Sequence, residues 1–176
     1  TNFAAFASEA IAVESDIQSL FGIAVHQELR NDIYVGAMFV PDGVDAVSQI
    51  YDEQLSKKMS FRFIQAYSNR KIGRLWKQRI AMNNEKSDWQ GQTKNIVAFT
   101  KLFKRSLQSG DEINLVFIPN SGTKIYLGQT LFLTVKDPQF YRLLLNIWYG
   151  NVPPSNLFKT GISGNNTDYL QKKLIS

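Results

Sequence analysis

The sequence predicts one α+β domain, and three observations support this prediction. Its 176 residues match the ordinary size of a single domain. Along the chain, segments in which apolar and polar residues alternate, as in strands, are interleaved with segments that have a helical period. Hydrophobic residues make up 44% of the chain, which is typical of a globular protein. We therefore expect a folded domain with its own apolar core.

The predicted domain comprises residues 21–176, and its N-terminal part consists mainly of segments with strand patterns. Residues 1–20 are rich in Ala and Ser and are predicted to form an N-terminal helix or a loose arm. Residues 22–29 and 31–40 are predicted as adjacent strands, since the second is rich in β-branched and aromatic residues and ends at a Pro-Asp-Gly turn. A third strand is expected over 57–67, where apolar and polar side chains alternate.

Two longer helices are predicted in the middle of the chain. Residues 68–83 repeat apolar side chains at helical spacing, which indicates one buried face. Residues 88–109 are predicted as a second helix, because Ser87 and Gln90 have the spacing of a capping box. Gly110 stands where a left-handed residue would end this helix. The remaining predicted elements are a short helix over 44–55 and strands over 113–119, 123–128 and 129–135.

The segment after the last predicted strand contains a helix with a specific end. An Asp-Pro pair at 137–138 fits the first positions of a helix. Gly150 is expected to take the left-handed conformation that ends this helix. The prolines at 153–154 then prevent its continuation, and Ser155 can cap a last short helix. Trp148 is expected to pack against the sheet, so this segment favours a structural role over a functional one.

Composition excludes several classes of function. The net charge is +5, from 20 Lys and Arg against 15 Asp and Glu, but the basic residues are spread out and nucleic-acid binding is not expected. No segment approaches the roughly 20 apolar residues that span a bilayer, so no integral membrane segment is predicted. The absence of cysteine excludes disulfides and thiolate metal sites. With one histidine and scattered carboxylates, no metal site and no cofactor are predicted.

His26 is the only histidine, so any chemistry that needs a histidine acid or base would have to use it. Its neighbours in the predicted strand are apolar, which favours a structural role for this side chain. The sequence contains no nucleophile elbow and no glycine-rich phosphate loop. The residues alone therefore predict an α+β domain with an apolar interior and no legible active site.

Three stretches resemble the chalcone isomerase-like family, and its bacterial branch most closely. They are NDIYVGAMFV, GDEINLVFIPNSG and LLLNIWYGNVPP, and they are similar to a family strand, a family hairpin and the penultimate helix with the turn after it. The resemblance covers about residues 21–164. It implies an open-faced β-sandwich, in which a layer of helices covers one large antiparallel sheet.

The resemblance also implies how catalysis would work in this fold. Plant chalcone isomerases close a phenolate onto an enone, and an Arg on an early strand stabilises the oxyanion. In this sequence His26 stands at that Arg position, and Arg30 would reach it only by a register change. Ile33 replaces the family Thr, residues 71–78 hold neither the family Tyr nor the family Asn, and Thr134 matches a late Ser or Thr. The resemblance therefore argues against chalcone isomerase activity.

Three hypotheses about function remain. The first is a non-catalytic protein that binds a fatty acid or a similar small amphipathic ligand between sheet and helices, with ligand-binding candidates His26, Arg30, Arg74 and Thr134. The second is an intramolecular lyase or isomerase that uses His26 as its acid or base. The third is a structural or partner-binding domain whose cleft is filled by its own side chains. Bacterial relatives usually carry a signal peptide, so the start at Thr1 implies a periplasmic or secreted protein, while the oligomeric state is not predicted.

Overall fold

The computed structural model describes residues 16–101, 105–166, 169–170 and 173. In this part of the chain, six strands form one sheet in chain order, and each strand is antiparallel to its neighbours. Because every connection joins adjacent strands, the first and the last strand are the two edges of the sheet. The strands are β1 Ser19–Glu28, β2 Asn31–Val40, β3 Lys57–Phe63, β4 Glu112–Ile118, β5 Gly122–Leu127 and β6 Thr130–Val135.

Helices lie against one face of this sheet. The helix Asn69–Asn83 contacts the helices Thr93–Thr100 and Gln139–Tyr149, and the helix Asn156–Ile162 lies on β1. Within the described ranges, no helix is long and apolar enough to cross a membrane. The helices are α1 Val47–Ile50, α2 Asn69–Asn83, α3 Lys86–Gln90, α4 Thr93–Thr100, α5 Gln139–Tyr149 and α6 Asn156–Ile162.

Alternation along β3 separates the two faces of the sheet. Met59, Phe61 and Phe63 are buried on the helix side, whereas Arg62 is exposed on the other side, as the alternating pattern predicts. Trp148 on α5 is fully buried and its ring stacks on Phe61 with 4.5 Å between centroids. The predicted packing of Trp148 against the sheet is therefore confirmed, and the core lies between the sheet and α2 and α5.

The prediction of one long helix over 88–109 is wrong. Among the described residues of this range the structure has two short helices, and α3 begins after Glu85 rather than at Ser87. Leu107 instead pairs with Tyr67 in an isolated antiparallel bridge, with N–H···O distances of 2.9 and 3.0 Å. Such a distant backbone pairing is stronger than local helix propensity, which is a weak preference. Gly110 has a φ of 88°, but it lies in the turn before β4 and not at a helix end.

The short helix predicted over 44–55 is reduced to the single turn of α1. The Lys57 ammonium binds the backbone carbonyls of Ile50 and Asp52, and these bonds hold the chain in turns after the helix. At the N-terminus, residues 1–15 of the predicted arm lie outside the described residues, and β1 already begins at Ser19.

Gly150 ends α5 for a different reason from the one predicted. Its φ is −74° and its ψ is −176°, which is an extended conformation open to any residue. A Cβ atom at this position would lie 2.4 Å from the carbonyl oxygen of Asn146 and 2.5 Å from Oδ1 of Asn83. Space, and not left-handed geometry, therefore requires glycine here. The Ser155 cap of α6 is confirmed, since its Oγ accepts the N–H of Phe158 at 3.1 Å.

Candidate functional site

His26 lies on β1 inside the protein, on the face that the helices cover. It is directly opposite Tyr34 on β2 and only 4% exposed, and its ring stacks on the Tyr34 ring with 4.8 Å between centroids. The Phe158 ring meets it edge-on at 6.3 Å. Burial lowers the pKa of His26 below its usual 6.5, so the imidazole is neutral at pH 7.

Glu28 collects three polar side chains beside this histidine. Its Oε1 accepts the Tyr67 hydroxyl at 2.5 Å and lies 3.4 Å from Nε2 of His26, while its Oε2 accepts the Lys71 ammonium at 2.6 Å. Although burial acts to raise the pKa of Glu28, the hydrogen bonds from Lys71, Tyr67 and His26 bring it below its usual value. Glu28 is therefore ionised at pH 7 and accepts the Nε2 proton of His26. Nδ1 of His26 is then a buried acceptor without a partner among the described residues.

Aromatic rings occupy the layer between the sheet and the helices next to His26. Phe61 lies 5.5 Å from Tyr34 and 5.3 Å from Trp76, measured between ring centroids. Trp76 meets Trp148 at 5.1 Å, and Phe158 meets Tyr34 at 5.8 Å. These distances are those of directly packed rings. The side chains of the protein itself therefore fill the space in which the resemblance implied a ligand cleft.

The four ligand-binding candidates do not come together in the structure. His26 is buried on the edge strand β1, whereas Thr134 is exposed on β6 at the opposite edge of the sheet. Arg30 is exposed in the turn between β1 and β2, and Arg74 is exposed on α2. Of these residues, only Arg74 lines a groove between helices.

That groove, which we call the α2–α4 groove, has an apolar part and a basic part. The apolar part has a volume of about 220 Å³ and the basic part about 260 Å³. Lys77 lines both parts, so the two parts adjoin at this residue. The apolar part is lined by Lys77, Ile80, Ala81, Trp89, Thr93, Ile96 and Val97, and the basic part by Asn69, Arg70, Gly73, Arg74, Lys77 and Thr100.

The groove follows from the spacing of residues on α2. Arg70, Arg74, Lys77 and Ala81 are three or four residues apart, so they share one face of the helix. Gly73 lets α4 approach closely, because a Cβ atom there would lie 3.2 Å from the carbonyl oxygen of Thr100. Neither Asp nor Glu is among the described residues that line the groove. An anionic group would therefore meet cations without a competing carboxylate at its basic end.

A larger groove of about 630 Å³ lies on the opposite, uncovered face of the sheet. It is lined by residues of both charge signs, among them Lys58, Arg105, Asp111 and Glu112. Arg105 and Asp111 approach to 3.7 Å. Mixed charge and polar lining give this groove no preference for an anionic or an apolar ligand.

Within the described ranges, no group of three or more His, Asp or Glu could hold a metal ion.

Several residues of these sites are missing from the sequence prediction. The contacts of Glu28 with Tyr67 and Lys71 join residues about forty positions apart, so no local pattern indicates them. Arg70 and Lys77 could have been found, because they repeat with Arg74 at helical spacing on the polar face of a helix that was predicted. The polar face of α2 contained this signal.

The fold defines a class of protein: an α+β open-faced β-sandwich with helices over one face of an antiparallel sheet. The sequence model of the chalcone isomerase-like family matches residues 5–164, and the chain belongs to that family. Among solved structures it is similar to a fatty-acid binding protein of Arabidopsis thaliana, with a TM-score of 0.64 and 14% identity over 88% of this chain and 90% of that chain. At this identity the likeness shows the fold. A search of curated proteins gave no match. Placement in the bacterial branch stays a prediction.

Proposed function

We propose that the protein is a non-catalytic member of the chalcone isomerase-like family that binds a small amphipathic acid, such as a medium- or long-chain fatty acid. The sequence places this ligand in the cleft between sheet and helices, but aromatic rings fill that layer. We therefore assign the ligand to the α2–α4 groove. One observation carries the proposal: a single face of α2 runs from an apolar pocket to a row of cations.

The dimensions and the chemistry of the groove match such a ligand. Between Arg74 and Ala81, α2 rises by about 10 Å, which is the length along the helix available to the alkyl chain of an acid bound at Arg74. The alkyl chain would lie against Trp89 and Ile96, and the carboxylate would bind the guanidinium of Arg74. Arginine suits this role, because its planar group can donate two parallel hydrogen bonds to a carboxylate. The similar structure is that of a protein described as fatty-acid binding, which agrees with this class of ligand.

Catalysis is the weaker alternative. In its favour, Nε2–H of His26 donates a hydrogen bond to Glu28, so Nδ1 carries the free lone pair that a general base needs. Against it, Tyr34 and Phe158 cover the imidazole ring, and a reacting group needs access to within hydrogen-bond distance. We expect no acceleration of chalcone cyclisation over a boiled control, measured by the loss of chalcone absorbance. A rate that rises with protein concentration and is lost in His26→Ala would support the isomerase hypothesis.

A structural or partner-binding domain is the stronger alternative, because a specific observation favours it. Phe61, Trp76 and Trp148 are each fully buried in the layer where a ligand would otherwise lie. A domain packed in this way needs no ligand to complete its core. The two functions differ in one respect: only the proposed function requires the exposed face of α2 to bind an acid.

Calorimetry with a series of fatty acids tests the proposal, together with mass spectrometry of lipids that copurify with the protein. We expect micromolar or tighter binding, weakened about tenfold in Arg74→Ala because a charge-assisted hydrogen bond is lost. Ala81→Phe should also weaken binding, since it fills the apolar part from an exposed position. Arg62→Ala is the matched control, because Arg62 is an exposed arginine on the other face of the sheet.

Two results would contradict the proposal. An absence of both binding heat and copurified lipid would favour the partner-binding domain. Binding that neither Arg74→Ala nor Ala81→Phe changes would place the ligand elsewhere. The predicted periplasmic or secreted location is a separate part of the proposal, and the N-terminal sequence of the natural precursor and of the mature protein would test it.

A further inference from the structure

The turn between β1 and β2 has an unusual composition. Leu29 and Arg30 occupy its two central positions with φ values of 48° and 70°, and Glu28 pairs directly with Asn31 on either side. Two-residue turns with positive φ at both centres strongly favour Asn-Gly, because other side chains are strained in this conformation. A leucine followed by an arginine is therefore a poor choice for the stability of this turn.

Leu29 gains nothing from burial either. It is 96% exposed, whereas the next most exposed large apolar side chains in the described part of the chain reach only 57%. Neither the backbone geometry nor the packing of the fold accounts for this side chain. Strained residues that the fold does not require are concentrated at functional sites, so the tip is a candidate contact site.

Basic side chains outnumber acidic ones near the tip. Lys71 binds Glu28 at 2.6 Å and so fixes the first turn of α2, which also carries the exposed Arg70, beside the hairpin. Two carboxylates flank the same turn: Glu28 is bound to Lys71 as described above, and Asp32 accepts the side-chain amide of Gln27 at 2.5 Å. The chain as a whole carries +5. The protruding leucine is thus followed directly by an exposed arginine, in a protein whose net charge is positive.

We propose that the β1–β2 tip and the first turn of α2 dock onto an anionic lipid bilayer. Leu29 inserts into the interfacial region, while Arg30 and Arg70 meet the phosphates of the head groups. An exposed apolar side chain can enter the interfacial region of a bilayer, and basic residues near it are attracted to anionic head groups. A single exposed leucine fits a bilayer better than a folded protein surface, because a protein partner would bind a cluster of anchors.

Cosedimentation with lipid vesicles tests the proposal without any added fatty acid, so the result is independent of the proposed function. We expect binding to vesicles of phosphatidylcholine with phosphatidylglycerol, little binding to phosphatidylcholine alone, and weaker binding at high salt. The decisive variant is Leu29→Asn with Arg30→Gly. It installs the preferred turn and should raise the melting temperature, yet it should weaken vesicle binding at least tenfold. Leu131→Asn, at an exposed leucine on the opposite edge strand, should bind as the parent does.

Each other outcome would overturn the proposal. Equal binding by the double variant would exclude the tip, and equal binding to neutral vesicles would exclude the role of charge. Sedimentation velocity tests a second copy as the occupant: self-association that the double variant abolishes, without vesicle binding, would assign the tip to a dimer contact. Fatty-acid calorimetry on the double variant should match the parent, because the tip lies outside the α2–α4 groove.

Discussion

The two faces of α2 differ in every physical property that matters for binding. The inner face places Ile72, Trp76 and Ile80 in the core, where each is at most 1% exposed. The outer face carries Arg70 and Arg74, which are exposed and line a groove. Thus the inner face of one helix stabilises the domain, while the outer face keeps cations that the fold does not need for packing.

This difference is the reason why the proposed function places the ligand on the outer face of α2 and not in the packed interior. Closely packed rings make an interior rigid and leave no room for a ligand without rearrangement. The outer face of the same helix is free of that constraint, because exposed residues contribute little to stability. We therefore expect substitutions on the inner face to change stability, and substitutions on the outer face to change binding.

The largest expected effect lies on the inner side. Trp148→Ala should destabilise the domain by about 3–5 kcal/mol, because it removes a fully buried indole that packs on Phe61 and Trp76. Urea unfolding measures this change. Trp89→Ala is a suitable control, since Trp89 is only partly buried. An unchanged stability of Trp148→Ala would mean that the ring layer is not a packed core.

The next prediction tests whether lack of space or left-handed backbone geometry requires a glycine at position 150, the end of α5. Gly150→Ala should cost about 1–3 kcal/mol, because the new Cβ would collide with Asn146 and Asn83. Gly43 is the contrasting case: its φ is 88° and nothing lies within 4 Å of an added Cβ. Since Asn tolerates left-handed geometry, Gly43→Asn should be mild and Gly150→Asn severe when both are compared by thermal unfolding. A mild Gly150→Asn would restore the left-handed interpretation.

Much of the sheet could be predicted from the sequence, because alternation within a strand is a local signal. The predicted strand 31–40 coincides with β2, and the alternating side chains of β3 face the sides that the pattern indicated. The region 88–109 could not be predicted, because the bridge from Leu107 to Tyr67 joins residues far apart in the sequence. Likewise, the glycine at 150 is required in part by the Asn83 side chain from α2, which no local pattern at the end of α5 could indicate.

The candidate site was predicted only in part, for the same reason. The position of His26 on a strand could be predicted, but its contacts with Glu28 and Tyr34 depend on the register of β1 against β2 and on a bulge after His26. A cleft filled by side chains was one of the three hypotheses, but the rings that fill it could not be predicted, since they come from β2, β3, α2, α5 and α6. Arg74 was found because a helical face is readable from sequence.

The buried ammonium of Lys57 should make the free energy of unfolding depend on pH. Burial lowers the pKa of the Lys57 ammonium from 10.5 to about 8, although Asp52 and Glu53 act to raise it. Between these pH values the unfolded chain binds more protons than the native protein, so unfolding becomes less favourable as pH rises from about 8. Burial also raises the pKa of Tyr51 to about 12, which reverses the trend above about pH 10, where unfolded tyrosines ionise.

From the linkage slope of one titrating group, the free energy of unfolding should therefore rise by about 1–2 kcal/mol between about pH 8 and about pH 9.5. Lys57→Met should lose this slope, whatever its absolute stability, since it removes the titrating group. Lys58→Met is the matched control, because the neighbouring lysine is not fully buried and lies on the other face of the sheet. Parallel pH profiles for the parent and Lys57→Met, from urea unfolding at each pH, would show that Lys57 is solvated in the folded state.

The smallest effect on stability is expected on the outer face of α2, where the largest effect on binding is expected. Arg70→Ala and Arg74→Ala should change the free energy of unfolding by less than about 0.5 kcal/mol, because both side chains are exposed. Ile72→Ala, on the inner face of the same helix turn, should cost about 2–5 kcal/mol. Measured together, these three variants compare the two faces within one turn of helix. If Arg74→Ala destabilised the protein as strongly as Ile72→Ala, the arginine would be part of the core packing, and a loss of fatty-acid binding in that variant would no longer identify the groove as the site.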